Sequence, residues 1–224
     1  MSLSSVLIQF LNGLASASSL FLVAAGLSLI FGVTRIVNFA HGSLYMLGMY
    51  IAVWLAERIG FWAAVPLAAA IVGVIGSLTE IFLLRRIYKA PELLQLLATF
   101  ALVLVVKDAA LWAWGPEDLL GPRAPGLQGA ADFGGSAFPE YDLFLILAGP
   151  LVLAALWLLL NRTRWGILVR AASQDREMAG ALGVDQRLLF TGVFALGAFL
   201  AGLGGALQIP REPASLAIDL AVIS

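Results

Sequence analysis

Apolar residues gather in runs near 14–33, 44–56, 61–84, 93–114, 143–160 and 188–209, and a further run begins near 216. Within each run they occupy every face of a helix, neither a single stripe nor alternate positions, which is the pattern of a membrane span or a deeply buried helix. A span needs about 20 residues to cross roughly 30 Å of hydrocarbon, and all the complete runs but one reach or approach that length. The exception is 44–56, which as a helix would rise only about 20 Å. It crosses only if the polar stretch 38–43 ahead of it is included. That predicts an interrupted helix, with polar groups inside the membrane profile or at its edge.

The pattern predicts an all-α, polytopic transmembrane helical bundle of about six spans plus the start of a seventh, forming a single domain over 1–224. The last run is cut off at Ser224, so the expectation is a truncated chain missing its C-terminal spans. Composition agrees with the class: 61% of residues are hydrophobic and 12% charged, against about one quarter charged in soluble domains. Outer-membrane strands would alternate apolar and polar residues, and these runs do not. The net charge of −1 gives no basic surface for nucleic acid. Without cysteine and with one histidine, disulfides, thiolate sites and a multi-histidine metal site are excluded. No lysine or arginine precedes Arg35, so the N-terminus lacks the positive region of a cleavable signal.

Orientation follows from basic residues in short loops. "RRIYK" at 85–89 and the arginine-rich 161–187 are expected on the cytoplasmic side. The link 115–141, rich in Pro and Gly, is expected to be an irregular extracytoplasmic loop without helix or strand. Counting back places Arg35 inside and Met1 outside; if 44–56 fails to cross, the N-terminus is inside instead.

Four groups of residues carry the candidate function. Arg35, Asn38 and His41 are spaced by three, which on a helix places them on one face, and Gly42 marks a break. They read either as a translocation-path or gating element or as a cap that holds a broken helix together. Lys107 and Asp108 interrupt an apolar run. Ionised groups at the bilayer centre cost about 2.5–3.5 kcal/mol on insertion scales. An ion-coupled carrier could use them, and a structural tether inside the bundle is the favoured reading. Glu80, one turn before Arg85, reads as an interfacial salt-bridging residue. Small residues recur at Gly192, Gly197, Ala201 and Gly205, with Ala198, Gly202 and Ala206 beside them, and Gly13, Gly26 and Gly32 in the first run allow similar close approach.

The stretch 170–183, "RAASQDREMAGALG", reads as an amphipathic helix on the arginine-rich side. Ala172, Met178, Ala179 and Leu182 line one side and Asp175, Arg176 and Glu177 the other, with Gly183 as the C-cap. It fits an interfacial helix or a docking helix for a soluble partner.

Two motifs then resemble a known family. Residues 26–42 carry G-x-x-x-I-[FY]-G-x-x-x-x-[IV]-N-F-A-H-G, and 170–184 carry R-A-x-x-x-D-x-x-M-A-x-x-L-G-[IV]. Together they resemble the membrane permeases of branched-chain amino-acid ABC importers. The resemblance implies a multi-pass subunit of the bacterial inner membrane that pairs with a second homologous permease. It implies two cytoplasmic ATPase subunits, which bind the ATP and Mg, and a periplasmic substrate-binding protein. Within the lipid bilayer this chain itself would then carry no cofactor, no metal and no catalytic residue. The cytoplasmic loop 161–187 would contain the ATPase-coupling helix, with Arg170, Asp175, Arg176, Glu177, Met178, Ala179, Leu182 and Gly183. The cargo would be a branched-chain amino acid or a related small amino acid or amide. The alternative is an ion-coupled secondary carrier or channel for a small polar solute. An intramembrane enzyme is disfavoured, since no paired aspartates, H-E-x-x-H or G-x-S-x-G occurs.

Overall fold

The computed structural model describes residues 3–132 and 137–218, with side chains from Val6 onward. The helices are α1 (Leu3–Thr34), α2 (His41–Ile59), α3 (Phe61–Thr79), α4 (Arg85–Ile87), α5 (Glu92–Trp114), α6 (Glu140–Arg162), α7 (Arg164–Gln174), α8 (Arg176–Ala181) and α9 (Gln186–Gln208). A π-helical turn, Glu80–Leu84, joins α3 to α4 without a break in the rod. The protein is all-α in its spans and polytopic. Among the described residues, five helical segments are long and apolar enough to cross a membrane: Val6–Thr34, Phe61–Ile87, Glu92–Trp114, Glu140–Arg162 and Gln186–Gln208. The run from 216 lies almost wholly outside the described residues.

α2 is not among those five, yet it is the centre of the bundle. Every residue from His41 to Val53 is buried, wedged against α3, α9 and α1. Lipid tails are as apolar as leucine, so helices associate in a membrane by close packing rather than by expulsion from water. The α2–α9 crossing shows how: a Cβ added to Gly48 would stand 2.5 Å from the carbonyl oxygen of Gly202. Gly197, Ala198, Ala201, Gly202, Gly205 and Ala206 are all buried along α9. In α1 only Gly26 makes a comparable approach, with a Cβ position 2.6 Å from the Gly197 carbonyl oxygen. Gly13 and Gly32 have nothing within 4 Å, so their expected packing role is not seen.

The link 115–141 also departs from expectation. It holds a short antiparallel ribbon, β1 (Ala130–Asp132) paired with β2 (Ala137–Pro139), where an irregular loop was expected. Ribbon pairing needs only three residues on each side, and Pro139, which has no N–H to donate, closes it at its end. The same end of the bundle is tied by Trp62, whose indole N–H donates to the Pro125 carbonyl at 2.9 Å. Asp142 and Arg211 add an ion pair at 3.0 Å there. At the opposite end Arg35 reaches the Ser173 carbonyl at 3.5 Å and Arg85 reaches the Thr191 hydroxyl at 2.6 Å. The segments after α1, after α3 and between α6 and α9 therefore share one end, as the charge asymmetry requires.

Candidate functional site

α1 ends where Arg35 takes φ +57°, the one non-glycine residue in the left-handed region among those described. The chain then leaves regular structure over 36–38 and closes in a turn at Phe39–Ala40. Burial alternates with the period of a strand: Ile36, Asn38 and Ala40 are buried, and Arg35, Val37 and Phe39 are exposed. Asn38 closes the segment, its Oδ1 accepting from the Ala40 N–H at 3.1 Å and its carbonyl accepting from the His41 N–H at 3.1 Å. α2 starts there, with Gly42 as its second residue. The break thus falls at Arg35 and not at Gly42, and Arg35, Asn38 and His41 do not share a helical face, because only His41 is in the helix.

The position of His41 sets the depth of this start. Its Nε2 lies 3.0 Å from the carbonyl oxygen of Val23. Val23 is eleven residues before Thr34, or about 16 Å back along α1. The link 35–40 therefore climbs back along α1 and ends in the turn at 38–41, so that α2 begins beside the middle of the first span. The crossing that 44–56 was too short to make is completed by this link together with the 19 residues of α2.

Polar groups collect at the junction. A carbonyl oxygen can only accept, so in its bond to Val23 the His41 ring is protonated on Nε2 and presents Nδ1 as an acceptor. That Nδ1, the Asn38 amide nitrogen and the Ser43 hydroxyl are all buried and have no hydrogen-bond partner within the chain. Non-helical backbone at membrane depth is tolerated only when it is covered by protein or lines a water-filled cavity. One side of this link is covered by the chain itself, and the side bearing Val37 and Phe39 is open.

The second region is the arginine-rich end. A single helix over 170–183 is not what forms. The segment splits into α7 and α8 at Asp175, which leaves helical φ/ψ and caps α8 by accepting from the Met178 N–H at 2.9 Å. Asp and Asn compete with the helix for local backbone donors, which is why this position reads as a start rather than a middle. Gly183, at φ +85°, ends α8 in a Schellman turn, with the Val184 N–H bonded to the Ala179 carbonyl at 3.1 Å. The expected apolar side divides in two. Ala172 and Ala179 are buried in a small core with Val33, Val169, Leu189 and Phe190. Met178 and Leu182 point the other way, 58% and 78% exposed. With Leu188 and Trp165, Leu182 borders an open groove of about 440 Å³.

The charged residues of the loop also separate. Glu177 is exposed. Arg170 turns back to the Leu160 carbonyl and the Asn161 side chain, and so ties α7 to the end of α6. Arg176 is not a rim charge. Its guanidinium lies 4.1 Å over the Phe190 ring, with Nε and Nη2 buried and without hydrogen-bond partners in the chain.

Glu80 was expected as a boundary salt bridge, and the geometry goes further. The carboxylate is completely buried, paired with Arg85 at 2.9 Å. It also accepts from the Thr191 hydroxyl at 2.6 Å and the Tyr88 hydroxyl at 3.0 Å. Burial, with the Glu80 charge beside it, raises the Tyr88 phenol well above its ordinary range, so it stays a donor. Asp108 lies on the exposed face of α5, and Lys107 beside it is half-buried. The fully buried positions of α5 are Gln95, Thr99, Val103 and Ala110. The Asp142–Arg211 pair was missed by the sequence reading. Asp142 sits at a helix start, where an acidic residue is ordinary, and Arg211 lies 69 positions away.

A bundle of apolar helices that surrounds a partly unwound, polar crossing is the build of a polytopic membrane transport protein. The chain matches, over residues 9–217, the model of the family described as branched-chain amino acid transport system / permease component. It belongs to that family. The high-affinity branched-chain amino acid transport system permease protein BraD of Pseudomonas aeruginosa is 27% identical over 213 residues, covering 89% of this chain and 69% of the relative. LivH of Salmonella typhimurium, a permease protein of the same description, is 24% identical over 216 residues, with the same coverage. The probable LivH permease of Methanocaldococcus jannaschii is 27% identical over 217 residues, covering 92% of this chain and 67% of the relative. No solved structure matches the chain.

Proposed function

We propose that the chain works as one of two permease subunits of an ATP-binding-cassette importer in the bacterial inner membrane. The two together form a path for branched-chain amino acids or a related small amino acid or amide. The observation that carries this reading is the open side of the link 35–40. Val37 and Phe39 are 45% and 38% exposed on non-helical backbone beside the middle of the first span, where lipid cannot satisfy the peptide groups. A second membrane subunit covers that side, and the path runs along the seam. Asn38, His41 and Ser43 supply hydrogen-bonding capacity there that the helix packing leaves unused.

The remaining assignments follow the same reading. The loop 161–187 is cytoplasmic, and the groove beside Leu182 and Leu188 receives an ATPase subunit. ATP and Mg belong to the two ATPases, so this chain transmits force and carries out no chemistry. The loop 115–141 faces outward, toward a soluble binding protein. The test is uptake of labelled leucine into proteoliposomes holding this chain, a second permease and both ATPases, with binding protein outside. Uptake that needs ATP, together with cross-linking of Val37→Cys to the second permease, is the expected result. Uptake by this chain alone, driven by an ion gradient, overturns it.

A further inference from the structure

Where α3 leaves the membrane, Glu80, Arg85, Arg86, Tyr88 and Lys89 face Arg176, Arg187 and Phe190 across a pocket of about 420 Å³. That volume lies in the usual range for small-ligand sites. Five cationic side chains line it against one carboxylate. Glu80 is already committed to Arg85, Thr191 and Tyr88, and Asp185 is the other acid whose charge reaches Arg85. A large positive excess remains.

Arg176 shows that the excess is built in. Its ring partners Phe190 and Tyr88, at 4.1 and 5.6 Å, hold the guanidinium flat. Gln186 fixes the backbone beneath it through the Arg176 carbonyl at 2.6 Å. Burial, the largest influence, lowers its pKa, yet Nε and Nη2 have no hydrogen-bond partner in the chain. Buried guanidinium nitrogens without partners, among other cations, favour an anion beside them.

The surface next to the pocket points to the source of that anion. Leu78, Ile81 and Phe82, one turn before Arg85 and Arg86, are 47%, 36% and 62% exposed. An apolar strip on a span that ends in a cluster of cations matches an acyl chain below a phosphate. An acidic segment of a soluble protein would have no use for the strip.

We propose that this pocket binds the phosphate headgroup of an anionic phospholipid on the arginine-rich side of the membrane, with an acyl chain lying along Leu78, Ile81 and Phe82. The site is distinct from the apolar groove beside Leu182 and does not depend on the transport reading. The headgroup pins the end of α3 to α8 and the start of α9.

The test uses the full chain purified in detergent. Native mass spectrometry and thermal melting follow titration with phosphatidylglycerol, phosphatidylcholine or inorganic phosphate. Phosphatidylglycerol is expected to bind saturably and raise the melting temperature, and phosphatidylcholine to do neither. The double variant R86Q/K89Q, at two exposed positions, is expected to melt normally without lipid and to bind phosphatidylglycerol roughly 30-fold more weakly. Equal response to the two lipids, or undiminished binding by the variant, overturns the proposal. So does inorganic phosphate that saturates the site while phosphatidylglycerol adds nothing. Loss of ATPase copurification in R86Q/K89Q with unchanged lipid binding overturns it in favour of a protein ligand.

Discussion

His41 and Val23 are joined side chain to backbone, Nε2 to carbonyl oxygen at 3.0 Å, across 18 positions of sequence. That one bond fixes where α2 begins relative to α1, because Val23 lies well inside a continuous span. It also fixes the ring's tautomer, leaving Nδ1 as a buried acceptor without a partner in the chain.

Replacing His41 with alanine removes that bond from a fully buried site, which typically costs about 1–3 kcal/mol when a buried group loses its partner. The expected outcome is transport at least about tenfold lower, with copurification of the ATPase subunits retained, since the loop 161–187, which we propose docks them, is at the other end of the link. Uptake assays and pull-down of the reconstituted complex check this. Loss of ATPase copurification with normal uptake would contradict the placement.

Gly48→Ala is expected to destabilise sharply, because the added Cβ meets the Gly202 backbone at 2.5 Å and backbone cannot move aside cheaply. Gly32→Ala is the control, with nothing within 4 Å of its Cβ position. Helix propensity favours alanine there by up to about 1 kcal/mol. Thermal melting in detergent should fall by several degrees for the first and hold or rise for the second. Equal melting of the two would mean that α2 and α9 do not cross at these glycines.

Arg211→Gln leaves Asp142 buried without its cation. Breaking a buried pair costs about 3–5 kcal/mol. The double variant D142N/R211Q, which removes both charges, is expected to recover much of the loss. Yield and melting temperature of the three proteins form the measurement, and a double variant no better than the single one would show that the pair contributes through packing rather than charge.

Leu182→Asp and Arg176→Ala are expected to fail differently. Leu182 is 78% exposed, so its replacement should leave melting unchanged while ATPase stimulation by loaded binding protein falls several-fold, an unpaired charge having been placed at the contact. Arg176 stacks on Phe190 inside the fold, so its loss should lower the melting temperature first. Normal stimulation by the Leu182 variant would remove the groove from the coupling surface.

The sequence by itself determined the class, because uninterrupted apolar runs with few charges have one stable home and the basic loops fall on alternate links. It also marked the two motif regions, 26–42 and 170–184, since polar residues and glycine in such a chain are too costly to be incidental. The Gly183 cap was legible for a local reason: the left-handed turn and its hydrogen bonds are all made within one helical turn.

What only the tertiary structure decided depends on contacts between distant positions. Spacing by three suggested one face for Arg35, Asn38 and His41. The left-handed φ of Arg35 and the anchor at Val23 instead made the stretch a non-helical link, and no periodicity shows a bond to a carbonyl eighteen residues away. In the loop 161–187, amphipathic spacing grouped Ala179 with Met178. As neighbours on α8 they point about 100° apart, and only the packing of α8 against Leu189 and Phe190 decides that Ala179 is the buried one. Glu80 looked like a boundary charge until α9 supplied Thr191 to its carboxylate. Local hydrogen bonding and hydropathy are written along the chain, but the partner of a buried polar group is chosen by whichever helix packs beside it.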